Sequence, residues 1–505
     1  NNPICLHTRV ILMLMSGLLM TACSDFFMDE EKTLQLARGY LEAREINAAG
    51  IELRNTLQEN PDNAEARYLL ATINLDYGDY ATAAKEFRRA RSAGWDEALV
   101  AYGLARALVG AGDYQGVIDI GMPAADWLTN IRAGLLSQRA IALVGQDRRE
   151  DALETLESAR EVDKDALDVH RISIQIAIID RRSGDAAQQL QHALGLYPDS
   201  PELLLLQASL LVDSDAGVAA TSLRKVVDMD PPGFISANGR MARLLLSQLQ
   251  IIDRQFDQAE QLLKPLYRRH PHDAFMNYLG GVIAFQREDY QRAGQLLLKV
   301  LKFAPEHNPT RLLFGTVNYA EGNFEQAAYF LGKYIAAVPD NMDARKLLAR
   351  SYILLGRDSE AERLLQPMLA RQTNDAELLA LVAVSELNRG KTAAGIAGLE
   401  QAVQAEPGSV LLRSELARAY IEAGETAMAI DELRDLLAKG GEQQQTRTLL
   451  ILAHLRAGEH AEAITQVLGM VVQDPDDPAV QTLAGNVFAA SGDLAEARIY
   501  LERVR

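Results

Sequence analysis

Histidine, cysteine and carboxylate side chains could supply chemistry in this 505-residue chain, but their spacing forms no recognised catalytic motif. The one local cluster of histidines is His270-Pro271-His272 with His307, where a proline between two imidazoles gives no established ligand spacing. The sequence also lacks a nucleotide-binding glycine loop and the Gly-x-Ser-x-Gly and His-Glu-x-x-His signatures. Carboxylates expected on solvated helix faces include Glu360, Glu362 and Asp375. We therefore expect no enzyme, no metal site and no cofactor.

Both cysteines, Cys5 and Cys23, lie in the first 23 residues, so the rest of the chain can form no disulfide and no cysteine-based metal site. Residues 10–20 form an apolar run that is too short to span a bilayer and is typical of a secretory signal. The small residues directly before Cys23 resemble a bacterial lipobox, although Met20 stands where Leu is usual. The alternatives are an ordinary signal peptide with an incidental cysteine and a buried amino-terminal helix.

The lipobox resemblance implies a signal peptide over residues 1–22, a lipidated Cys23 and an acidic tether over residues 23–31. Such a protein is lipid-anchored and faces the periplasm without a transmembrane helix. In lipoproteins of this kind an Asp directly after the cysteine favours the inner membrane. Ser24 follows here, with Asp25 one place later, so the outer membrane is favoured over the inner membrane.

The composition indicates an acidic, helical protein. The formal net charge of −18 argues against a nucleic-acid partner, because binding a phosphate backbone needs clustered Lys and Arg. Apolar residues make up 48% of the chain, and many of them are the good helix formers Ala and Leu. Aromatic residues make up only 6%. No small-molecule substrate is evident.

A 34-residue period organises the chain. Small residues recur at this step from residue 293 to residue 497, and Val117 stands in their place in a weaker copy. Only a helical hairpin repeated end to end needs a turn residue at such an interval. The glycines expected at these turns are Gly78, Gly112, Gly322, Gly356, Gly390, Gly424, Gly458 and Gly492.

The number of helix-ending residues between the hairpins indicates the number of repeats. Thirteen such positions, from Pro61 to Pro475, predict an all-α, right-handed superhelical solenoid of about fourteen helix-turn-helix repeats. The step from Pro231 to Pro271 is six residues longer than the period and contains a lengthened helix, about Ser236 to Ile252. It predicts a kink, with a plain loop insertion as the alternative. We accordingly expect two blocks, residues 32–233 and 234–505.

The last repeat stops at Arg505 within its second helix, without the polar capping helix that usually ends a solenoid. This ending predicts that the chain is the amino-terminal part of a longer protein. A natural end with a frayed helix is the alternative.

The repeats resemble the tetratricopeptide repeat, which has a small residue at position 8, an aromatic at 11, Ala at 20 and Pro at 32. Residues 342–375 supply Ala349, Tyr352 and Ala361, with Thr373 in place of the proline. The resemblance implies a concave wall formed by the first helices, which binds protein partners. It covers nearly all of the chain after residue 31.

An aromatic-rich patch on that expected wall is the candidate groove of the second block, which could hold an extended peptide, a partner helix or a sugar ring. Ordinary packing against the neighbouring repeat is the alternative. Lys346, Arg350 and Arg418 are candidate contacts for an acidic ligand. The groove residues are Phe275, Tyr278, Val282, Phe285, Leu312, Thr316 and Tyr319.

The opening repeats, over residues 48–67 and 84–90, resemble the tetratricopeptide lipoproteins of the PEP-CTERM/exosortase system called PrsT. This resemblance implies a non-enzymatic scaffold of Gram-negative bacteria, associated with exopolysaccharide production and with sorting of proteins that carry a carboxy-terminal Pro-Glu-Pro signal. One alternative is a polysaccharide-export scaffold that bridges an inner-membrane synthase and an outer-membrane pore. Another is the recruitment module of a larger enzyme.

Overall fold

A computed structural model describes residues 30–370, 374–440 and 443–504, and this part of the chain is built of 28 α-helices without a β-strand. The expected signal peptide, Cys23 and all but two residues of the tether lie outside it. The helices are α1 (Glu30–Glu42), α2 (Ile46–Glu59), α3 (Ala64–Tyr77), α4 (Tyr80–Ser92), α5 (Glu97–Ala111), α6 (Tyr114–Asp119), α7 (Thr129–Gly145), α8 (Arg149–Val162), α9 (Leu167–Ile179), α10 (Ser183–Leu196), α11 (Pro201–Leu211), α12 (Ala216–Met229), α13 (Ala237–Ile252), α14 (Phe256–Arg269), α15 (Ala274–Gln286), α16 (Tyr290–Phe303), α17 (Asn308–Ala320), α18 (Phe324–Ala337), α19 (Met342–Leu354), α20 (Asp358–Leu369), α21 (Ala376–Asn388), α22 (Thr392–Ala405), α23 (Val410–Ala423), α24 (Thr426–Ala438), α25 (Gln443–Ala457), α26 (His460–Gln473), α27 (Pro478–Ala490) and α28 (Leu494–Glu502).

The helices pair into hairpins, as the repeat predicts, and side-chain caps mark where several of them begin. Asn63 accepts a hydrogen bond from the Ala66 amide at 2.8 Å, and Asp96 accepts one from the Leu99 amide at 2.9 Å. Each cap satisfies an amide that the first turn of a helix leaves without a partner. Among the described residues, no helix combines the length and the apolar content needed to cross a bilayer.

The turn inside each hairpin explains the 34-residue glycine series. All eight glycines named above have positive φ, between 69° and 87°, a conformation that costs glycine little. Five further hairpins place a non-glycine residue at the same turn, with φ between 59° and 65°. These residues are Arg44, Asp147, Arg181, Arg254 and Glu288. The turn therefore recurs where the sequence series is interrupted.

Small residues in the second helices let the helices of a hairpin approach closely. Ala83, Ala293 and Ala361 are fully buried. At Gly395 an added Cβ would lie 2.5 Å from the Leu387 side chain, so that position admits only glycine without rearrangement. Buried Leu and Ile side chains between successive hairpins complete a core that continues along each stack.

The described chain forms two compact units, the first ending at Pro271 and the second beginning at His272. The sequence placed the boundary of its blocks after residue 233. The difference arises because α13 packs against α12 and α3 and therefore belongs to the first unit. This helix spans Ala237–Ile252 with Ser236 as its cap, close to the lengthened helix expected there.

The last hairpins of the first unit contact its first hairpins. Arg44 Nη2 donates to the Met229 carbonyl at 2.6 Å, and Asn47 Nδ2 donates to the Gly233 carbonyl at 2.9 Å. The buried Phe234 ring packs edge-on against Tyr77 at a centroid distance of 5.4 Å. The additional residues between Pro231 and Pro271 thus include a corner that closes the stack of α1 to α14 into a ring.

Candidate binding surfaces

The ring of the first unit contains a cavity of about 480 Å³. Its polar lining comes from the first helices of successive hairpins, the wall on which the sequence analysis expected partners to bind. The polar lining residues on these helices are Asp76 on α3, Tyr102 and Arg106 on α5, Gln138 on α7, Asp168 and Arg171 on α9, Glu202 on α11 and Asn238 on α13, and Tyr80 and Ser236 also line the cavity.

One side of this cavity is a network centred on Asp168. Its carboxylate accepts hydrogen bonds from Tyr102 Oη at 2.5 Å, Arg171 Nη2 at 2.6 Å and Gln138 Nε2 at 3.1 Å. Burial, together with the Asp168 charge, raises the pKa of Tyr102, so the phenol stays protonated and donates. Gly134 leaves room for the ring, because an added Cβ would lie 2.7 Å from it. This side is therefore fixed in place by satisfied hydrogen bonds.

Arg106 and Asp76 face the cavity without a hydrogen bond or ion pair to any described residue. The Arg106 guanidinium lies 5.7 Å from the centre of the Tyr102 ring. Burial disfavours its charge, but Tyr102 and the carboxylates of Asp168, Glu202 and Asp76 outweigh this and raise the pKa of Arg106. Burial, with a contribution from Glu202, raises the pKa of Asp76 against the opposing influence of Arg106. The cavity thus offers one half-buried cation and one exposed anion that form no hydrogen bond or ion pair with a described residue.

The candidate groove of the second unit is half-buried at all seven residues. Tyr278 packs edge-on against His307 at 5.4 Å, and Tyr319 packs against Phe324 at 5.6 Å. Phe285 contacts Tyr290 at 5.8 Å. These rings touch the core and keep part of their surface accessible, so both packing and partner binding remain compatible with their positions. Their role in binding stays a prediction.

The three basic residues predicted to meet an acidic ligand already have carboxylate neighbours. Lys346 Nζ donates to Asp375 at 2.7 Å and to Glu377 at 3.1 Å, and only 11% of its side chain is exposed. Arg350 pairs with the same Glu377 at 2.7 Å. These ion pairs join α19 to α21. A ligand would have to compete with them, and the predicted role is untested.

Arg418, the third predicted contact, keeps about half of its side chain exposed and pairs with Glu415 at 3.5 Å. It lines a shallow pocket on the second unit together with Leu411 and Gln444. This position leaves the guanidinium accessible to a partner.

The structure shows an exposed aromatic patch that the sequence analysis missed, on the second helices α16 and α18. Leu298, Phe303 and Tyr329 are each more than half exposed. Lys333 Nζ lies 4.6 Å from the centre of the Tyr329 ring, within the range of a cation–π contact. The sequence analysis read only first helices for contacts, whereas the Tyr-x-x-x-Lys spacing on α18 was a usable signal.

The polar cavity was also missed, although its signal is present in the sequence. Asp168 and Glu202 stand 34 residues apart at the same repeat position, on helices that are rich in Ile and Leu. Each histidine of the local sequence cluster packs against a different aromatic ring. His270 lies by Tyr77, His272 by Phe303 and His307 by Tyr278.

Comparison with known families identifies the repeat. Two models, both described as tetratricopeptide repeat, match the chain: one over residues 318–384 and 387–450, the other over residues 34–98, 137–201, 244–308 and 448–505. No curated protein matches the sequence.

Several solved structures are similar to the chain. A chain of the APC/C hetero-tetramer Cut9–Hcn1 is 18% identical, with 93% of this chain and 98% of that chain covered and a TM-score of 0.38. A tetratricopeptide repeat protein from Parabacteroides merdae is 17% identical over 50% of this chain and 98% of its own, with a TM-score of 0.36. MamA from Desulfovibrio magneticus RS-1 is 14% identical over 33% and 93%, with a TM-score of 0.31.

Proposed function

Because the chain belongs to the tetratricopeptide repeat family, we propose that it is a non-enzymatic scaffold that binds partner proteins, and that the first unit holds a partner segment in its polar cavity. The observation that carries this proposal is the pair of unpartnered charges, Arg106 and Asp76. Arg106 is half-buried and Asp76 is exposed within the cavity, and charged groups whose pKa values are shifted inside a cavity are frequent at functional sites.

The chemistry of the cavity specifies the partner segment. A carboxylate of the partner would pair with Arg106 beside the Tyr102 ring, and a neighbouring ammonium or guanidinium group would pair with Asp76. Glu202, whose carboxylate is positioned by Asn238 Nδ2 at 3.2 Å, adds a second acceptor. A volume of about 480 Å³ falls in the range of roughly 300–1,000 Å³ found for specific binding sites. We infer that the segment is extended and carries both charges.

Co-purification of partners with charge variants tests this function. We expect Arg106→Ala to lower the yield of proteins recovered with the chain by at least about tenfold, because it leaves the partner's carboxylate unpaired. Arg434→Ala is the matched control, since this arginine is exposed on the second unit. Equal recovery with both variants, in chains whose circular dichroism is unchanged, would contradict cavity binding.

We further propose that this scaffold is lipid-anchored at Cys23, faces the periplasm from the outer membrane, and serves exopolysaccharide production together with PEP-CTERM protein sorting. The lipobox-like residues before Cys23 and the resemblance of the opening repeats to PrsT lipoproteins support this setting.

Fatty-acid labelling with membrane fractionation tests the anchor. We expect Cys23→Ala to abolish labelling and to release the chain from the membrane, because a single acylated cysteine would carry the attachment. Cys5→Ala is the control and should label like the wild type. Labelling that persists in the Cys23→Ala variant would show that this anchor is wrong.

A further inference from the structure

Three side chains with metal-binding atoms meet at one end of a hairpin in the first unit. Asp165 lies two residues before α9, His170 is in the first turn of α9, and His192 is near the end of α10. The two helices run antiparallel, so the beginning of α9 lies beside the end of α10. One ligand atom from each residue lies within 4.8 Å of the others.

None of the three side chains forms a hydrogen bond or an ion pair within the described part of the chain. Nε2 of His170 is buried and has no hydrogen-bond partner, which is costly for a polar nitrogen. The two imidazole rings meet edge to face, with centroids 5.5 Å apart. Neither ring nor the Asp165 carboxylate takes part in a side-chain hydrogen bond or an ion pair among the residues described.

The backbone around Asp165 is fixed while its carboxylate remains available. The Asp165 amide donates to Asp163 Oδ1 at 3.1 Å, and the Asp165 carbonyl accepts a hydrogen bond from Tyr197 Oη at 2.7 Å. These two bonds place the residue at the mouth of the hairpin without using its side chain. The backbone of Asp165 is therefore held in place, while its exposed carboxylate remains free to turn towards an ion.

We propose that Asp165, His170 and His192 bind one divalent transition-metal ion of the zinc class, outside the polar cavity and independently of partner binding there. Two imidazole nitrogens with one carboxylate oxygen suit Zn²⁺, whereas Ca²⁺ and Mg²⁺ prefer oxygen ligands alone. Three protein ligands leave a fourth tetrahedral position for water or a donor atom from another molecule.

The donor spacing is compatible with this ion after small side-chain rotations. Bonds of about 2.0–2.1 Å to zinc place tetrahedral ligand atoms about 3.3 Å apart, closer than the 4.8 Å limit of the cluster. Asp165 and His192 are exposed and can rotate, while the half-buried His170 provides the fixed ligand. The ion would join α9, α10 and the turn before α9.

The sequence analysis did not indicate this site because the two histidines are 22 residues apart and match no linear metal motif. Only the hairpin brings them together. The expectation of no metal was drawn from linear spacing alone and did not consider ligands on facing helices.

Isothermal titration of ZnCl₂ into the tag-free, chelator-treated full chain tests the proposal. We expect one ion bound per chain, with affinity lowered more than about tenfold in His170→Ala and in His192→Ala. The melting temperature of the wild type should rise with Zn²⁺, because a ligand bound only to the folded state stabilises it. His272→Ala, which removes a histidine outside the cluster, is the control and should bind like the wild type.

Asp165→Asn separates loss of a ligand from loss of folding, because it keeps the size of the side chain and the backbone bonds of residue 165. Weakened binding in this variant, with unchanged circular dichroism, supports the three-ligand site. Absence of stoichiometric binding by the wild type would overturn the proposal. Undiminished binding by Asp165→Asn, or by a His170→Ala/His192→Ala double variant, would also overturn it.

Discussion

At the scale of one residue, Asp76 is a charged cavity residue whose role is better assigned to binding than to folding. Its side chain is exposed to the solvent inside the ring and makes no hydrogen bond or ion pair to a described residue, and the surrounding protein, with a contribution from Glu202, raises its pKa. Binding sites commonly carry such a cost, which a neutral side chain removes. The residue is therefore better explained by a partner than by folding.

We predict that Asp76→Asn weakens partner binding and stabilises the first unit only slightly at pH 7, by less than about 0.5 kcal/mol, because water screens the exposed carboxylate. Because the folded pKa is raised, the cost of ionisation is full above it and disappears as the pH falls towards the unfolded value of about 3.9. Urea denaturation at pH 7 and pH 3.5 measures this. A variant that is less stable than the wild type at pH 7 would contradict the interpretation.

Lys346 is the opposite case, because its charge is paired with carboxylates of the fold itself. Burial opposes its charge, but hydrogen bonds to Asp375 and Glu377 raise its pKa. Burial likewise opposes ionisation of Asp375, but the hydrogen bonds from Lys346 and the Leu378 amide outweigh it and hold the pKa of Asp375 below its usual range. The pair links two first helices, α19 and α21.

We predict that Lys346→Met destabilises the second unit by about 2 kcal/mol at pH 7, where all the charges are present. The contribution of Asp375 is present above its unfolded pKa of about 3.9 and is lost as the pH falls through the lowered folded pKa. The difference from the wild type should therefore shrink by pH 2.5 in thermal melts. Lys391→Met, at an exposed ion pair with Glu362, should change stability by less than about 0.5 kcal/mol. A pH-independent effect would contradict this assignment.

At the scale of elements, the corner that precedes α13 determines whether the first unit is closed. Phe234 is 5% exposed and packs on Tyr77 of α3. Without this contact, the corner would rely on polar bonds such as that from Asn47 to the Gly233 carbonyl.

We predict that Phe234→Ala destabilises the first unit by about 3 kcal/mol and speeds amide hydrogen exchange in residues 44–78. The reason is that truncation leaves a cavity at the contact between the two ends of the ring. Phe303→Ala is the matched control, because that phenylalanine is 57% exposed. Unchanged exchange in residues 44–78 would show that the corner does not hold the ring closed.

The helical hairpins could be predicted because they depend on local chemistry. A glycine such as Gly356, with φ of 69°, marks a turn by its residue type. Arg181 adopts φ of 59° at the equivalent turn without any such signature, so the series in the sequence is interrupted there. The closure by Phe234 was not predictable from local pattern, because its partner Tyr77 is far away in the sequence.

At the scale of the whole molecule, the sequence predicted a binding wall on the first helices but did not indicate the charged cavity. Aromatic content directed attention to Phe275 and Tyr278, whose role is still a prediction. Arg106 and Asp76 differ from the other charged residues of the cavity because they form no hydrogen bond or ion pair with a described residue, and this depends on the helices around the whole cavity. Local periodicity carries no such information.

Photo-crosslinking from inside the cavity tests most directly whether the chain is a scaffold that holds a partner segment there. A photo-reactive phenylalanine in place of Tyr80, which lines the cavity, is compared with one in place of Leu153, which is exposed on α8 of the same unit. We predict adducts from position 80 that mass spectrometry maps to one extended, charged segment, and that Arg106→Ala removes. Identical adducts from both positions, or adducts from position 80 that persist in Arg106→Ala, would contradict the account.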